Sequence, residues 1–493
     1  MTDTPSHNTH GWNFDNSYAQ LPDVFFMAQK PIPVRKPKML IFNTRLADFL
    51  GLDSNALSGT EGARIFAGNE IPPGAEPIAQ AYAGHQFGHF TMLGDGRAVL
   101  LGEQMTPIGE RYDIQLKGSG QTPFSRRGDG RAVVGPMLRE YIISESLHAL
   151  GIPTTRSLAV VETGETVERE RPFPGAVLTR VAHSHIRVGT FEYIARRAGE
   201  DGIRTLADYA IQRHYSDLII EDNPYPSFFQ AVVDRQAHLI AQWQLVGFIH
   251  GVMNTDNMAI SGESIDFGPC AFMDIYKPAT VFSSIDQYGR YAYNQQPFIA
   301  QWNLTRLAET LIPLIHPEQA KAIAMATEVL ESFMPRYEDY WLNGMRTKIG
   351  LLSEEEDDKT LIDDLLKWME SSQQDFTDTF RNLASDTIAQ KEKIQKDSVF
   401  QAWHERWRAR LSRQPQSTAE VYDVMNVSNP AVIPRNHRIE SALQEATETG
   451  KVTECHQLLN LLSTPFAKPG ENEIEYLMAP EVIFADYRTF CGT

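Results

Sequence analysis

The sequence predicts an α+β protein of two lobes, a β-rich N-lobe and an α-helical C-lobe, with a helical C-terminal extension. Short apolar runs separated by Gly, Pro and Asp turns dominate residues 94–187, which is typical of strands. Runs with apolar residues at helical spacing dominate the chain beyond residue 190. At the start of this helical part, residues 248–268 form two polar loops on either side of a short apolar run.

Residues 248–268 carry the spacing of a site that holds a metal and a nucleotide. The first polar loop ends at Asn257, and Asp266-Phe267-Gly268 follows nine residues later. Protein kinases place an Asn and the Asp of an Asp-Phe-Gly tripeptide in this order, because both side chains must reach the magnesium that bridges the nucleotide phosphates. The spacing therefore predicts a protein-kinase-like bilobal fold. The alternative is an ordinary turn at Asp266, with Asp256 and Asn257 capping a helix.

Composition and charge exclude several classes of function. The net charge of −18 argues against a nucleic-acid partner, which needs a clustered basic face. No apolar run is long enough to predict a membrane helix, and the N-terminal residues lack the pattern of a signal or transit peptide. The three cysteines are too few and too scattered for a disulfide framework or a zinc site. We expect a cytoplasmic protein with no membrane partner and, by default, a monomer.

Residues 1–80 are expected to form an N-terminal extension. Its clearest element is the apolar-periodic run at residues 39–52, which predicts a helix that ends at a glycine. Beyond it, His85 and His89 have the spacing of two ligands on one face of a helix. A glycine before each of them opposes a helix, so packing or backbone capping is the preferred interpretation rather than zinc binding.

A predicted strand hairpin supplies the first candidate contact for a phosphate. AVLLGEQM and RYDIQLKG are two strands joined by a short turn, and Lys117 closes the second, where kinase folds keep a lysine that pairs with phosphates. The loop at 118–136 repeats the Gly-Asp-Gly-Arg sequence of 94–97, and such loops turn backbone N–H groups and arginines toward an anion. The alternatives are a solvated edge charge for Lys117 and two plain surface turns.

A helix after this loop offers the partner that Lys117 needs. Pro136 opens the helical run PMLREYIISESLHAL, and Glu140 lies in its first turns. In a kinase-like lobe a helical Glu pairs with the strand Lys and aims it at the phosphates. Alternatively, Glu140 only favours the positive end of its helix.

The following segments set the predicted domain limits. Residues 154–165 and 175–189 predict two further strands, the second of which carries Arg180 and Arg187. We expect a kinase-like N-lobe at 81–190, a C-lobe with the catalytic and metal loops at 191–300, and a helical C-terminal extension at 301–493.

Long motifs along the chain resemble the selenoprotein O (SelO) family of kinase-fold proteins. They are FDNSYAQLP, YAGHQFGHF, GDGRAVLLGE, DIQLKGSGQTPFSRRGDGRA and HGVMNTDNM. That family transfers AMP from ATP to hydroxyl side chains of proteins, with the nucleotide bound in the reverse sense to that in a kinase. The resemblance implies a protein adenylyltransferase that uses ATP with Mg²⁺, or Mn²⁺ in its place, and has proteins with exposed hydroxyls as partners.

The resemblance also implies a role for each candidate residue. It implies nucleotide contacts for Gly94, Gly96, Arg97, Lys117, Asp129, Gly130, Arg180, Arg187 and Asp266, with Glu140 as the ion-pair partner of the lysine. It implies Asn257 and Asp266 as metal ligands and Asp256 as the base. Family members can also pair a C-terminal cysteine with one that follows Asp-Phe-Gly, and here the candidates are Cys491 and Cys270.

The loop before Asn257 departs from the kinase pattern. In H-R-D-x-x-x-x-N the base stands two residues after the His, and aligning His250 with Asn257 puts Val252 there. Valine cannot accept a proton, and the nearest carboxylate is Asp256. Three classes of protein stay open: an adenylyltransferase, a phosphotransferase, and a nucleotide-binding pseudokinase scaffold. The retention of both metal ligands speaks against the scaffold.

Overall fold

The structure is a computed structural model that describes residues 10–385, 387–390, 392–468, 470–476, 478–479 and 487–489. Its strands are β1 (Phe26–Ala28), β2 (Lys38–Phe42), β3 (Ile78–Gln80), β4 (Ala83–Gln86), β5 (His89–Met92), β6 (Ala98–Met105), β7 (Arg111–Lys117), β8 (Ala132–Val133), β9 (Arg156–Glu168), β10 (Pro172–Ala182), β11 (Phe248–Ile249) and β12 (Ala271–Phe272). Its helices are α1 (Thr44–Phe49), α2 (Ser54–Leu57), α3 (Thr60–Phe66), α4 (Val134–Ala149), α5 (Val188–Arg197), α6 (Gly199–His214), α7 (Tyr225–Val246), α8 (Gln296–Ile315), α9 (Gln319–Glu331), α10 (Phe333–Lys348), α11 (Asp358–Ser371), α12 (Phe376–Leu383), α13 (Glu392–Gln395), α14 (Ser398–Leu411), α15 (Thr418–Ser428), α16 (Asn436–Thr449) and α17 (Thr453–Leu462).

One antiparallel sheet dominates the N-terminal part. Its strand order is β1-β3-β6-β7-β10-β9-β2, and β8 pairs with part of β10. In the register between β7 and β10, Lys117 faces Leu178 and Gln115 faces Arg180. Residues two apart on a strand share a face, and so do directly opposed residues on paired strands. Lys117 and Arg180 therefore project from the same face of the sheet.

Helices fill the C-terminal part and bury two apolar cores. The first core joins α4 and α5 of the N-terminal half to α7 and α8, through side chains such as Leu138, Phe191, Ile240 and Leu304. The second joins residues of the extension, such as Trp407, to Ile249 of β11 and Ala271 of β12. This order, a sheet-rich part followed by a helical part, confirms the predicted α+β class with its bilobal, kinase-like arrangement. None of the helices in the described part of the chain combines the length and the apolar character that crossing a bilayer demands.

The predicted domain limits stay a prediction, although the sheet bears on the first of them. Strands β1, β2 and β3 all fall within residues 1–80, yet each pairs within the same sheet as β6 and β7. The segment expected to be an N-terminal extension thus contributes both edges of that sheet.

The prediction of a helix at residues 39–52 is wrong for the first part of that segment. Its first part is strand β2, which pairs with β9 so that Lys38 faces Glu162. Asn43 then ends the strand and caps α1 by accepting a hydrogen bond from the backbone N–H of Leu46 (3.1 Å). A short apolar run fits a buried strand as well as a helix, and tertiary pairing decided between them here.

The strand predicted to carry both Arg180 and Arg187 ends before the second arginine. Strand β10 stops at Ala182, and Arg187 lies at the N-cap of α5. The chain leaves the sheet where Asp113 of β7 accepts a hydrogen bond from the backbone N–H of His185 (2.9 Å). Arg187 consequently approaches the same region as Arg180 from the helical side.

The end of the extension packs against the helix that carries Glu140. Helices α16 and α17 lie against α4, and Glu440 of α16 forms an ion pair with Arg139, the neighbour of Glu140. The position of α4 therefore depends on residues about 300 positions further along the chain.

A buried arginine links this extension to the segment after β12. Arg435 is 2% exposed and pairs with Asp274 (2.7 Å) and with Asp375 (2.6 Å), the N-cap of α12. Replacing Arg435 with Met is expected to lower the free energy of unfolding by roughly 3–5 kcal/mol, because it leaves buried carboxylates without their counter-charge. Denaturant unfolding followed by circular dichroism measures this loss.

The matched control is Lys396→Met, which breaks an exposed pair with Glu392 (2.7 Å). Exposed pairs contribute about 0–1 kcal/mol, so this variant should unfold almost as the parent does. Equal losses in the two variants would contradict the role assigned to Arg435.

Candidate active site

Three cations and two carboxylates meet between the sheet and the helical part. Lys117, at the end of β7, contacts Glu140 of α4 (Nζ–Oε2, 2.5 Å) and Asp266 (Nζ–Oδ1, 3.2 Å). Arg180 contacts the same two carboxylates, Glu140 through Nε (2.6 Å) and Asp266 through Nη2. Arg187 approaches the other oxygen of Asp266 (Nη2–Oδ2, 3.6 Å). Five predicted residues thus lie in one buried cluster with a net charge of +1.

Asp266 is the common partner of all three cations. Burial alone would raise the pKa of its carboxyl, but Arg180, Lys117 and Arg187 outweigh burial and hold that pKa well below its usual range. Its backbone adopts φ 63°, a left-handed conformation that side-chain-bearing residues rarely take. Such strain costs about 1–3 kcal/mol and persists where surrounding contacts enforce it, often at functional sites.

Arg187 has donors left over for a ligand. Its side chain is buried and its guanidinium lies over the ring of Tyr82, 4.2 Å from the centroid. Nε and Nη1 make no hydrogen bond to any residue that the structure describes. Buried donors without partners are costly, so their presence beside a net positive cluster favours the binding of an anion such as phosphate.

The loop with Asp256 and Asn257 follows β11 and forms a short 3-10 turn, Thr255–Asn257. Asp256 is 8% exposed, and its Oδ1 is buried without a hydrogen-bond partner in the described part of the chain. Burial raises the pKa of Asp256 to about 7, against the opposing effect of Arg187. A Cβ at Gly84 would collide with this carboxyl, so β4 closes directly over it. The carboxyl is therefore able to gain or lose a proton near neutral pH.

His250 joins this loop to the Asp-Phe-Gly turn. Its ring nitrogen Nε2 donates to the carbonyl oxygen of Ile265 (2.7 Å), the residue before Asp266. Its backbone N–H donates to Gln296 on α8 (3.0 Å). The two loops that carry the predicted metal ligands are thereby held together.

The two Gly-Asp-Gly-Arg segments lie in adjoining loops but differ in their relation to the cluster. Gly94 adopts φ 113°, and a Cβ there would collide with the ring of Phe124 from the second loop. Arg97 is near enough to the cluster to lower the pKa values of Asp266 and Lys117. Asp129 instead pairs with Arg169 (2.8 Å).

The glycines at 96 and 130 leave room for close backbone contacts. A Cβ at Gly96 would lie 3.0 Å from the carbonyl oxygen of Phe124, and one at Gly130, which adopts φ 67°, would collide with the backbone of Gly120. Gly130 thus occupies a position that only glycine fits, and a side chain at Gly96 would force the backbone at Phe124 to shift slightly.

A hydrogen-bonded group next to Asp256 was not predicted from the sequence. Thr255 donates its hydroxyl hydrogen to Glu192 of α5 and accepts a hydrogen bond from the backbone N–H of His85 (2.7 Å). His85 also contacts Glu192 through Nδ1, and burial raises the pKa of Glu192 to about 7. The available sequence signal was Glu192 itself, an acidic residue that follows the apolar Phe191 on α5.

Only one member of the predicted cysteine pair is described. Cys270 is fully buried, and burial raises the pKa of its thiol to about 12, which disfavours the reactive thiolate. Thr489 donates its hydroxyl hydrogen to the carbonyl oxygen of Pro269 (2.7 Å), so residue 489 lies beside the residue that precedes Cys270. Cys491 itself lies outside the described residues, and the disulfide stays a prediction.

The residues at the site fit a divalent cation that prefers oxygen ligands. Asn257 donates its amide N–H to the carbonyl oxygen of Val252 (2.9 Å), which leaves its amide oxygen for a ligand. Asp266 offers a carboxylate, so both predicted metal ligands present an oxygen atom. Across the described ranges no three His, Cys, Asp or Glu side chains converge to hold a metal by themselves. Phosphate oxygens and water would complete the shell, as is usual for Mg²⁺.

Comparison with known proteins gives the family of this chain. Residues 9–463 match the family model described as "Protein adenylyltransferase SelO". A protein of Brevibacillus brevis named "Protein nucleotidyltransferase YdiU" is 59% identical over 495 residues and covers 100% of both chains. Proteins with the same name from Syntrophotalea carbinolica and Bacillus cytotoxicus are 58% and 56% identical over 483 residues, covering 98% of both chains. These matches confirm the predicted resemblance and the predicted enzyme class, a nucleotidyltransferase, and the chain belongs to the SelO family of protein adenylyltransferases.

Proposed function

We propose that this enzyme transfers AMP from ATP to Ser, Thr or Tyr hydroxyls of proteins and releases pyrophosphate. The observation that carries the proposal is the placement of Asp256. Its carboxyl is buried, has an oxygen without a partner, has a pKa raised to about 7, and adjoins the candidate metal ligand Asn257. Val252 stands where a kinase has its base, so the site has no carboxylate in the usual position for γ-phosphoryl transfer.

The cations account for the binding of the triphosphate. Lys117, Arg180 and Arg187 converge with their carboxylate partners in a buried cluster, where charge interactions are stronger than in water. Arg97 and the glycine turns at 94 and 96 adjoin this cluster and would contact the nucleotide, and the adjoining loop with Asp129 and Gly130 would supply further contacts. The net positive charge stabilises the negative charge of the bound ATP, and also the charge that develops on the pyrophosphate as it leaves.

The proposed step is a single displacement at the α-phosphorus of a nucleotide bound in the reverse sense. The hydroxyl oxygen of the substrate protein forms a bond to the α-phosphorus, and the bond from that phosphorus to the bridging oxygen of the β-phosphate breaks. The proton of the hydroxyl passes to Asp256, and pyrophosphate leaves with the electron pair. A bound Mg²⁺ or Mn²⁺ at Asn257 and Asp266 would neutralise charge on the phosphates.

Mass spectrometry of modified proteins tests this function. The purified enzyme is incubated with ATP, Mg²⁺ and a bacterial protein extract, and the modified peptides are then sequenced. We expect AMP on Ser, Thr or Tyr side chains. Phosphate alone on these side chains would contradict the proposal and indicate a phosphotransferase.

The rate of transfer is expected to depend on pH through Asp256. Because a base must be ionised to accept a proton and the pKa of Asp256 is raised to about 7, the rate should rise roughly tenfold per pH unit below about pH 7 and level off above it. Steady-state rates at saturating ATP across this range measure the profile.

Glu192 supplies the control, since burial raises its pKa to about 7 as well. A Glu192→Gln variant should keep the pH profile, although its rate is lower. Loss of the profile in that variant would assign the titration to Glu192 and remove the argument for Asp256.

A further inference from the structure

A cavity of about 520 Å³ opens next to the loop that carries Asp256. One wall is the turn between β4 and β5, with Phe87 and His89, and the other is the segment 285–290 together with Ile299 of α8. We call this cavity the 285–290 groove. The proposed reaction does not involve this groove, whose lining combines apolar side chains with polar ones, one arginine (Arg290) and one carboxylate (Asp286).

Both walls of the groove are tied to the loop of Asp256 by one side chain. Asn254, two residues before Asp256, accepts hydrogen bonds at Oδ1 from the backbone N–H of Phe87 (3.1 Å) and from the hydroxyl of Tyr291 (2.6 Å). These bonds fix the groove relative to the proposed base. A chain segment in the groove would therefore present its residues at a defined distance from Asp256.

Large apolar side chains stand exposed around the groove. Tyr288 is 96% exposed and Ile285 is 54% exposed, and the neighbouring Phe298 of α8 is 54% exposed. Solvent-exposed patches of aromatic and large aliphatic side chains are typical of surfaces that bind other proteins.

Arg290 is part of the groove lining, and two further arginines lie near it. Arg290 and Arg306 lie over the ring of Trp302, at 4.9 and 5.0 Å from its centroid, and Arg196 lies over Phe90 on β5 (4.6 Å). The chain as a whole carries a net charge of −18, so a group of three cations here is a local exception.

The carboxylates nearby offset only part of this positive charge. Glu309 pairs with Arg306 (2.8 Å), and Asp286 accepts hydrogen bonds from the backbone N–H groups of Arg290 and Tyr291 (2.9 and 2.8 Å). Glu192 also lies near Arg306 and Arg196, but its carboxyl is engaged by His85 and by the hydroxyl of Thr255. Arg290 keeps a buried Nε without a hydrogen-bond partner in the described structure, and Arg196 is exposed. Charge complementarity therefore favours an acidic occupant.

We propose that the 285–290 groove docks the segment of the protein substrate next to the modified hydroxyl, and that it selects segments with a large apolar residue and acidic residues. The proposal rests on the proposed function, because it assumes a protein that brings its hydroxyl to Asp256. Ile285 and Tyr288 contact the apolar residue, and Arg196 and Arg290 attract the acidic ones.

Peptide binding tests the groove without relying on catalysis. The probes are three fluorescein-labelled synthetic peptides with a central serine: one flanked by leucine and glutamates, one with lysines replacing the glutamates, and one with alanine replacing the leucine. Fluorescence anisotropy with the full chain and no nucleotide measures their affinities. The first peptide is expected to bind about tenfold more tightly than either of the others, a difference that a few buried contacts supply.

Variants then assign the preference to residues. Ile285→Ala and Tyr288→Ala should each weaken binding of the leucine peptide several-fold and leave the alanine peptide unchanged. Arg290→Gln and Arg196→Gln should each reduce the preference for glutamates over lysines. Because Arg196 is exposed, its variant tests the charge even where Arg290→Gln disturbs the packing on Trp302.

Matched controls come from residues that do not line the groove. Ile219 is 56% exposed, an exposed fraction nearly equal to that of Ile285. Arg204 lies over the ring of Tyr225 (5.6 Å), as the arginines near the groove lie over aromatic rings. Ile219→Ala and Arg204→Gln should bind all three peptides as the parent does. The proposed docking at the groove would be contradicted by equal affinities of the parent for the three peptides or by absence of binding. Equal losses of binding in the control variants would also contradict it.

The same peptides separate this proposal from the function itself. Selective binding that responds to the groove variants, without AMP transfer to any peptide or protein, would support the groove and contradict the proposed function. If the groove variants transfer AMP with the same peptide preference as the parent, the result would contradict docking at the groove. It would still support the proposed function.

Discussion

Replacing Asp256 with Asn is expected to lower the rate of AMP transfer by about 10²–10⁴-fold, the usual contribution of a positioned general base. Asn keeps the shape of the carboxyl but cannot take the proton of the substrate hydroxyl. Because the phosphates are held by Lys117, Arg180 and Arg187, affinity for ATP should change little. Single-turnover rates measure the first quantity and titration with a fluorescent ATP analogue measures the second.

Asp208→Asn is the matched control for this variant. Asp208 lies on α6 and accepts a hydrogen bond from the hydroxyl of Tyr225 (2.9 Å), so the same substitution there leaves the site untouched. Its transfer rate should equal that of the parent. An Asp256→Asn enzyme with the parent rate would remove Asp256 from the mechanism.

Replacing Asp266 with Asn is expected to reduce transfer by at least about 10³-fold, comparable to the loss of a charged group that stabilises phosphoryl transfer. The substitution removes a metal ligand and the shared counter-charge of three cations, which raises the net charge of the cluster from +1 to +2. The rate of AMP transfer should recover in part at high Mg²⁺ concentration, because a site that has lost a ligand binds the metal more weakly and needs more of it to be occupied.

Thermal unfolding separates the two consequences of this change. The Asp266→Asn variant should unfold at a lower temperature because Lys117 and Arg180 lose a buried partner, and ATP should restore part of that stability. Parent activity of the variant in Mg²⁺ would contradict Asp266 as a metal ligand.

The sequence predicted those parts of the site that local spacing defines. Asn257 and Asp266 are separated by a short segment whose length a kinase-like site requires, and Lys117 closes a strand that its own alternation reveals. Glu140 could be expected because it follows in a helix of clear periodicity. The structure brings Lys117, Glu140 and Asp266 into contact, while the roles of these residues stay predictions.

The spacing of apolar residues along the sequence did not predict the contacts between distant segments. Thr255 and Glu192 are 63 positions apart, and nothing in either segment indicates that one donates to the other. The ion pair of Arg139 and Glu440, which ties the extension to the helix of Glu140, joins residues 301 positions apart. Such pairs depend on how helices pack, and one sequence does not specify that packing.

The run at residues 39–52 shows the other limit. Its first half is apolar and short, which suits a strand or a buried helix equally. The pairing of β2 with β9 decided the outcome, and Asn43 set the boundary as a helix cap. A cap residue in the middle of an apolar run was the available signal for a strand that turns into a helix.

Transfer of label from ATP tests the central claim, transfer of AMP and not of the γ-phosphate, most directly. The enzyme and its Asp256→Asn variant are incubated with a bacterial extract, Mg²⁺ and ATP that carries ³²P in either the α- or the γ-phosphate. Protein labelled from the α-position only, with little or no label in the variant, is the predicted result. Label from the γ-position only would show phosphoryl transfer and contradict the account.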